Sequence, residues 1–169
     1  PGGTPIGALP RRYERVVEDR LVARFGREWY RGEDGDTLRT VVRRLKSDYY
    51  AGRTTAYDAT AVLAYAVYHL ADYYAAVGYL LEELAESSLL PRRLRVVDVG
   101  AGVGGPALGL FDYLDDAERH DRTPGPALVD YHAVEPSAAA DLLDRLLAET
   151  PQNVRATVHR DTAEAFDQA

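Results

Sequence analysis

Two hydrophobic periods divide the chain. From residue 9 to about residue 86, apolar residues recur at steps of three and four, the spacing of helices with one buried face. Tyr13, Val16, Val17, Leu21 and Phe25 mark a first helix; Leu38, Val41, Val42, Leu45 and Tyr49 mark a second. The glycines and acids of GEDGD, residues 32–36, are expected to break the chain between them. Asp36 is placed to cap the second helix and Gly52 to end it. A third helix is expected over about 55–87, started by Thr54 or Thr55. Leu63, Val67, Leu70, Tyr74, Val77, Leu81 and Leu84 give it a heptad-like stripe. Val62, Ala66, Tyr73, Ala76 and Leu80 widen that stripe, which predicts packing on more than one side.

Beyond Pro91 the pattern changes to short apolar runs alternating with helical segments. Residues 94–99, 127–136 and 154–160 read as strands, the first (LRVVDV) as a buried parallel one. Residues 106–118 and 137–150 read as helices, with Pro106 suited to a first turn and Ser137 to an N-cap. DRTPGP, residues 121–126, reads as a loop. Strand, helix, strand, helix, strand is one mononucleotide-binding half of a doubly wound sheet. The expected class is therefore α/β: a helical cap over residues 1–90, then the N-terminal half of a Rossmann-like parallel sheet over residues 91–169, truncated after its third strand. A strand edge left open would be unstable. The expected partner is thus a missing C-terminal part of the same protein or another chain.

Chemistry concentrates where the first strand ends. RVVDVGAGVGGPALGL sets Gly100, Gly102, Gly104 and Gly105 between that strand and a helix. Read through Gly105, it is the G-x-G-x-x-G of dinucleotide folds, in which a diphosphate rests at the helix N-terminus. Asp98 argues against that ligand. Like charges ~4–6 Å apart in a low-dielectric site oppose each other by kilocalories. S-adenosylmethionine has no phosphate and carries a sulfonium and an ammonium group, so an acid beside the turn suits it.

VVDVGAGVGG resembles the first motif of class I S-adenosylmethionine-dependent methyltransferases, an acid followed by x-G-x-G-x-G. The matching positions are Asp98, Gly100, Gly102 and Gly104, with Ala101 inside the turn. HAVEPS resembles the second motif, which implies that Glu135, followed by Pro136, binds both ribose hydroxyls. VHRDTAEAF resembles the segment after the third strand, which implies that Asp161 meets the adenine amino group. Asp161 also reads as the N-cap of a helix starting at Thr162. The resemblance spans about residues 94–166 and implies S-adenosylmethionine as cofactor. Substrate-side residues of that family lie further along the chain, so no catalytic residue is assigned. One departure is spacing: Glu135 lies some thirty residues past Gly102, where roughly 20 are expected, and ERHDRTPGP reads as the insertion.

YAVYHLADYYAAVGYLLEEL followed by the glycine motif is also similar to a ribosome small-subunit-associated, methyltransferase-like family. That likeness implies rRNA or the ribosome as methyl acceptor, or a non-enzymatic assembly factor that keeps the cofactor fold. An NAD-binding oxidoreductase is a third reading. The cysteine-rich metal motifs of that family do not occur in this sequence, and no metal is expected. His132 and His159 lack metal-ligand spacing and are expected to be structural.

Composition narrows this picture without redirecting it. No run approaches the roughly 18 apolar residues of a membrane span. Cysteine is absent and no secretory leader is recognisable, so a cytoplasmic protein without a membrane partner is expected. Acidic residues number 27 against 20 basic ones, for a net charge of -7, and Lys46 is the sole lysine. Such a surface suits a salt-adapted protein or a GC-rich genome, and offers no basic patch for nucleic acid. Eight of the twelve tyrosines fall between Tyr49 and Tyr79. They read as packing and rim residues of the cap, or as a stacking surface for bases. Methionine is absent even at position 1, so PGGTPIGALP reads as the edge of a fragment or a processed start.

Overall fold

The computed structural model describes residues 8–53, 56–120, 128–151 and 155–166. The helix start expected at Thr54 or Thr55, the loop over 121–126 and the strand-start residues Ala127 and Val154 lie outside the described residues.

The helical half forms three helices, α1 (Arg11–Phe25), α2 (Gly32–Tyr50) and α3 (Ala59–Glu86). α1 buries Tyr13, Val17 and Leu21, four residues apart. α2 begins earlier than expected, and GEDGD is its first turn rather than a break. Glu33 and Asp34 there complement the positive end of the helix dipole. Gly35 is buried because a Cβ on it would sit 2.6 Å from the Tyr30 carbonyl oxygen. Asp36 is thus inside the helix, paired with Arg39, and caps nothing. α2 ends at Tyr50, with Gly52 just beyond at φ +65°. The N-cap of α3 is Asp58, whose carboxylate accepts from the Ala61 N–H at 2.8 Å.

Near its start α3 is buried almost all round, at Ala61 to Ala64 and at Ala66. Farther along, only one stripe is covered, through Leu70, Gly78 and Leu81. Val67, Tyr73 and Leu80 are exposed, against the sequence expectation. The neighbours of α3 change along its length, so a single heptad stripe does not describe it.

The second half alternates β1 (Arg93–Val99), α4 (Gly105–Arg119), β2 (Leu128–Val134), α5 (Ala139–Leu147) and β3 (Arg155–His159). The strands form one parallel sheet in the order β1-β2-β3, with Val99 opposite Val134 and Val134 opposite His159. That order, with a helix in each crossover, is one half of a doubly wound arrangement. Pro106 occupies the first turn of α4, as expected. Ser137 lies ahead of α5, and its Oγ accepts from the Ala139 N–H at 3.1 Å.

One face of the sheet is covered. Val129, Tyr131 and Ala133 pack with Ala107, Leu110 and Phe111 of α4, Leu143 of α5 and Leu81 of α3. A second core joins Tyr13, Val17, Leu38, Val62 and Leu70 of the first three helices to Val103, Leu108, Leu142 and Leu146. α3 and α4 approach closely along Gly105 and Gly109. A Cβ on Gly109 would lie 2.4 Å from the Tyr74 carbonyl oxygen, and one on Gly105 would lie 3.1 Å from that of Leu70. Beside this seam Asp112 accepts from the hydroxyls of Tyr13 (2.8 Å) and Tyr74 (2.9 Å) and pairs with Arg12. No helix among the described residues is long and apolar enough to cross a membrane.

Candidate ligand site at the glycine turn

β1 runs into α4 through a five-residue turn. Gly100, Gly102 and Gly104 there have φ of +72°, +57° and +86°. A side chain at any of them would strain the backbone, so each glycine has a conformational cause. Gly105 does not share it; its role is the close approach to α3. The spacing that shapes the turn is therefore 100, 102, 104. The turn is tied across the sheet: the Gly100 and Ala101 N–H groups both donate to the Val134 carbonyl, at 2.9 and 3.2 Å. Ala101 and Val103 face inward and are buried.

Asp98 lies two residues before the turn. Strand alternation turns it to the helix-covered face, and its Oδ2 accepts from the Tyr131 hydroxyl at 2.6 Å. Burial raises its pKa above the ordinary carboxylate range, and the nearby charge of Glu135 adds to that, while the Tyr131 hydrogen bond opposes it. Burial, with Asp98 alongside, pushes the Tyr131 phenol up as well. Tyr131 was not singled out from sequence. Its signal was there, since inward positions of β1 and β2 alternate in step and bring the two residues to one face.

Glu135 directly follows β2 and is buried, at 6% exposure. Its Oε2 accepts from the Gly102 N–H at 2.7 Å and its Oε1 from the Ser137 N–H at 2.8 Å. A rim acid bathed in solvent is ruled out. Glu135 pins the middle of the glycine turn, and each oxygen keeps a further lone pair for an incoming hydroxyl. Pro136 beside it is exposed. The long spacing from Gly102 to Glu135 therefore leaves the two in direct contact.

Asp161 is exposed, two residues past the end of β3. Among the described residues no helix follows it: residues 163–165 form a turn, in which the Ala165 and Phe166 N–H groups donate to the Thr162 carbonyl at 3.1 Å. The capping role expected of Asp161 is thus replaced by a turn, because the segment closes on Thr162. The structure brings Asp98, Glu135 and the glycines together, and Asp161 lies at the neighbouring strand end. His132 and His159 sit on the opposite sheet face. His132 Nδ1 lies 3.0 Å from His159 Nε2, its Nε2 lies 3.2 Å from Asp130, and Phe166 packs on both rings.

The tyrosines divide. Tyr13 is fully buried, Tyr74 is partly buried, and both are held by Asp112; Tyr49, Tyr50, Tyr68 and Tyr79 are exposed. Tyr57, Tyr65 and Tyr73 form a group near the turn, with ring centroids 6.0 Å apart (57 to 65) and 6.3 Å apart (65 to 73). Burial raises the Tyr57 phenol, and the charge of Glu135 adds to it. No protein-family model matches the chain, and no curated protein matches its sequence.

Proposed function

We propose that this chain is the cofactor-binding part of an S-adenosylmethionine-dependent methyltransferase. The observation that carries the reading is the pair of carboxylates at one glycine turn. Asp98 lies beneath it and Glu135 is hydrogen-bonded into it, and no arginine or lysine is paired with either among the described residues. That donor set suits a ligand with positive charge and hydroxyls. Asp98 opposes a diphosphate at the turn, whereas an acid in the place of Glu135 suits a ribose diol in either ligand. Glu135 has lone pairs to offer a ribose diol, and Asp98 offers negative charge near the turn.

The cofactor supplies an activated methyl group for in-line displacement, so the protein's part is binding and approach geometry. Asp98 and Glu135 hold the charge and register of the ligand; the tied glycine turn keeps the backbone close to it. An acceptor in rRNA or the ribosome rests on the sequence likeness alone. Calorimetry with S-adenosylmethionine, S-adenosylhomocysteine and NAD separates the readings. Binding of the first two and not NAD is expected. Asp98→Ala and Glu135→Ala should each weaken S-adenosylhomocysteine at least about tenfold, or about 1.4 kcal/mol. Unchanged affinity in both variants, or preferential NAD binding, overturns the site. Following a radiolabelled methyl group into rRNA, protein and small-molecule pools then parts an enzyme from a non-enzymatic assembly factor.

A further inference from the structure

The three-tyrosine group has a position and a charge environment that packing alone does not require. It comes from the helical half, yet it borders the glycine turn of the other half. Tyr73 packs at the first residue of α4, next to the turn: its Cβ lies 2.8 Å from where a Cβ on Gly105 would be. Glu135 meets the turn itself three residues earlier, at the Gly102 N–H. The rings are open to a ligand, with Tyr73 48% and Tyr57 37% exposed. The Tyr65 and Tyr73 rings are nearly parallel, at 12°. His69 extends the group, 5.0 Å from Tyr65.

Aromatic faces attract cations held within about 6 Å of the ring centre, and a desolvated site strengthens the attraction. Acids close by add to it, and a paired arginine or lysine would cancel it. Here two carboxylates border the turn without such a partner among the described residues. Burial pushes the Tyr57 and Tyr65 phenols above the ordinary phenol range, so these two stay neutral.

We infer that Tyr57, Tyr65 and Tyr73, grouped at the start of α4 beside the turn that Asp98 and Glu135 flank, form a subsite for an alkyl-onium cation, so that the sulfonium cofactor is held more tightly than its neutral thioether product. This rests on the cofactor reading above and adds a selectivity to it. When the methyl passes to the acceptor, the S–CH3 bond breaks and its electron pair stays on sulfur. A new bond joins the methyl to the acceptor's lone pair, and the positive charge leaves with the acceptor, which sheds it as a proton where it carries one. The ligand left behind has lost the charge that the rings and acids favour, and release follows.

The test is calorimetry of the whole chain with S-adenosylmethionine and S-adenosylhomocysteine in parallel. The native protein is expected to prefer the sulfonium form. Tyr57→Leu and Tyr73→Leu should each weaken S-adenosylmethionine by about two- to fivefold and leave S-adenosylhomocysteine unchanged. Tyr57→Phe and Tyr73→Phe, which keep the ring, should retain the preference. Equal losses for both ligands, or no loss in the Leu variants, overturn the subsite while leaving the cofactor reading intact. Failure of the native chain to bind either ligand overturns both.

Discussion

The two faces of the one sheet are built by different rules. On the covered face, Val129, Tyr131 and Ala133 meet Phe111 and Leu143, and the strands contribute apolar side chains until Asp98 near the carboxyl end. On the other face stand Arg95, Asp130, His132, Thr157 and His159; Arg95 pairs with Asp130, His132 lies 3.2 Å from the same carboxylate, and the His132 and His159 rings stack. Parallel sheets usually have both faces buried and correspondingly apolar strands. Here that habit survives only in part, with Val97 and Val99 of β1 and Val134 of β2, and Val99 is 59% exposed. The lesson is that the helical half and the site share one side of the molecule. The covered face carries the core, the glycine seam and both candidate acids, so stability and ligand binding are coupled there and separable on the open face.

The sharpest way to break the comparison is at the seam. Gly109→Val puts a branched side chain where even a Cβ would lie 2.4 Å from the Tyr74 carbonyl oxygen. A backbone group cannot step aside as a side chain can, so a loss of about 3 kcal/mol or more is expected, at the top of the overpacking range. Urea unfolding reads this directly. A near-native midpoint would mean that α3 and α4 are not held as described. Second comes Asp112→Ala, which strips the acceptor from the Tyr13 and Tyr74 hydroxyls and the partner from Arg12. Tyr13 is fully buried, so its hydroxyl finds no water in exchange. The expected loss is about 2 kcal/mol, and Tyr74→Phe in the same background should add little to it.

Much of this arrangement was legible in the sequence, and the exceptions share a cause. The three strands, the two crossover helices and the glycine turn followed from local pattern, because period and turn chemistry are local properties. Asp98 and Glu135 stand out in the sequence from their strand-end positions, and both lie at the turn. What sequence patterning missed depended on a distant partner. GEDGD looked like a break because glycine and acids favour turns, yet Tyr30 packs over Gly35 and the acids suit the first turn of α2. Val67, Tyr73 and Leu80 fitted the α3 stripe and are exposed, because the covering elements change along that helix. Gly105 completes a G-x-G-x-x-G only on paper, since its cause is the backbone of α3. Which of the tyrosines pack and which border the site could not follow from their spacing, since Tyr73 and Tyr74 are neighbours in sequence with opposite fates.

A smaller effect sharpens the coupling of binding and stability. Asp98 has its pKa raised by burial, with Glu135 adding to the shift. The folded state then holds that proton to higher pH than the unfolded chain does. Folded molecules bind more protons between the unfolded and folded pKa values, so stability falls as pH rises through that window and stays lower above it. Asp98→Asn removes this fall and leaves an oxygen able to accept from Tyr131. Its stability relative to the native chain should therefore grow as pH rises past the ordinary carboxylate range, while cofactor affinity drops. Thermal midpoints of both proteins from pH 3.5 to 8 test it; parallel curves would remove the buried-acid description of Asp98.

The smallest effect belongs to the open face. Arg95 lies 3.5 Å from Asp130, with side chains 59% and 42% exposed. Exposed pairs gain little Coulomb energy in water and lose side-chain freedom in forming, so Arg95→Ala should change stability by about 0.5 kcal/mol or less. The value of the experiment lies in its contrast with Asp112→Ala: each removes one charged partner, but Asp112 is covered and also accepts from two tyrosine hydroxyls, while Arg95 is exposed. A small change that vanishes in molar salt matches an open, solvated face. A loss approaching that of Asp112→Ala would mean that Arg95 is shielded from water in solution, as a second copy docked on that face would do. Repeating the unfolding at several protein concentrations decides it: a midpoint independent of concentration leaves the face open, and one that rises with concentration erases the contrast between the two faces.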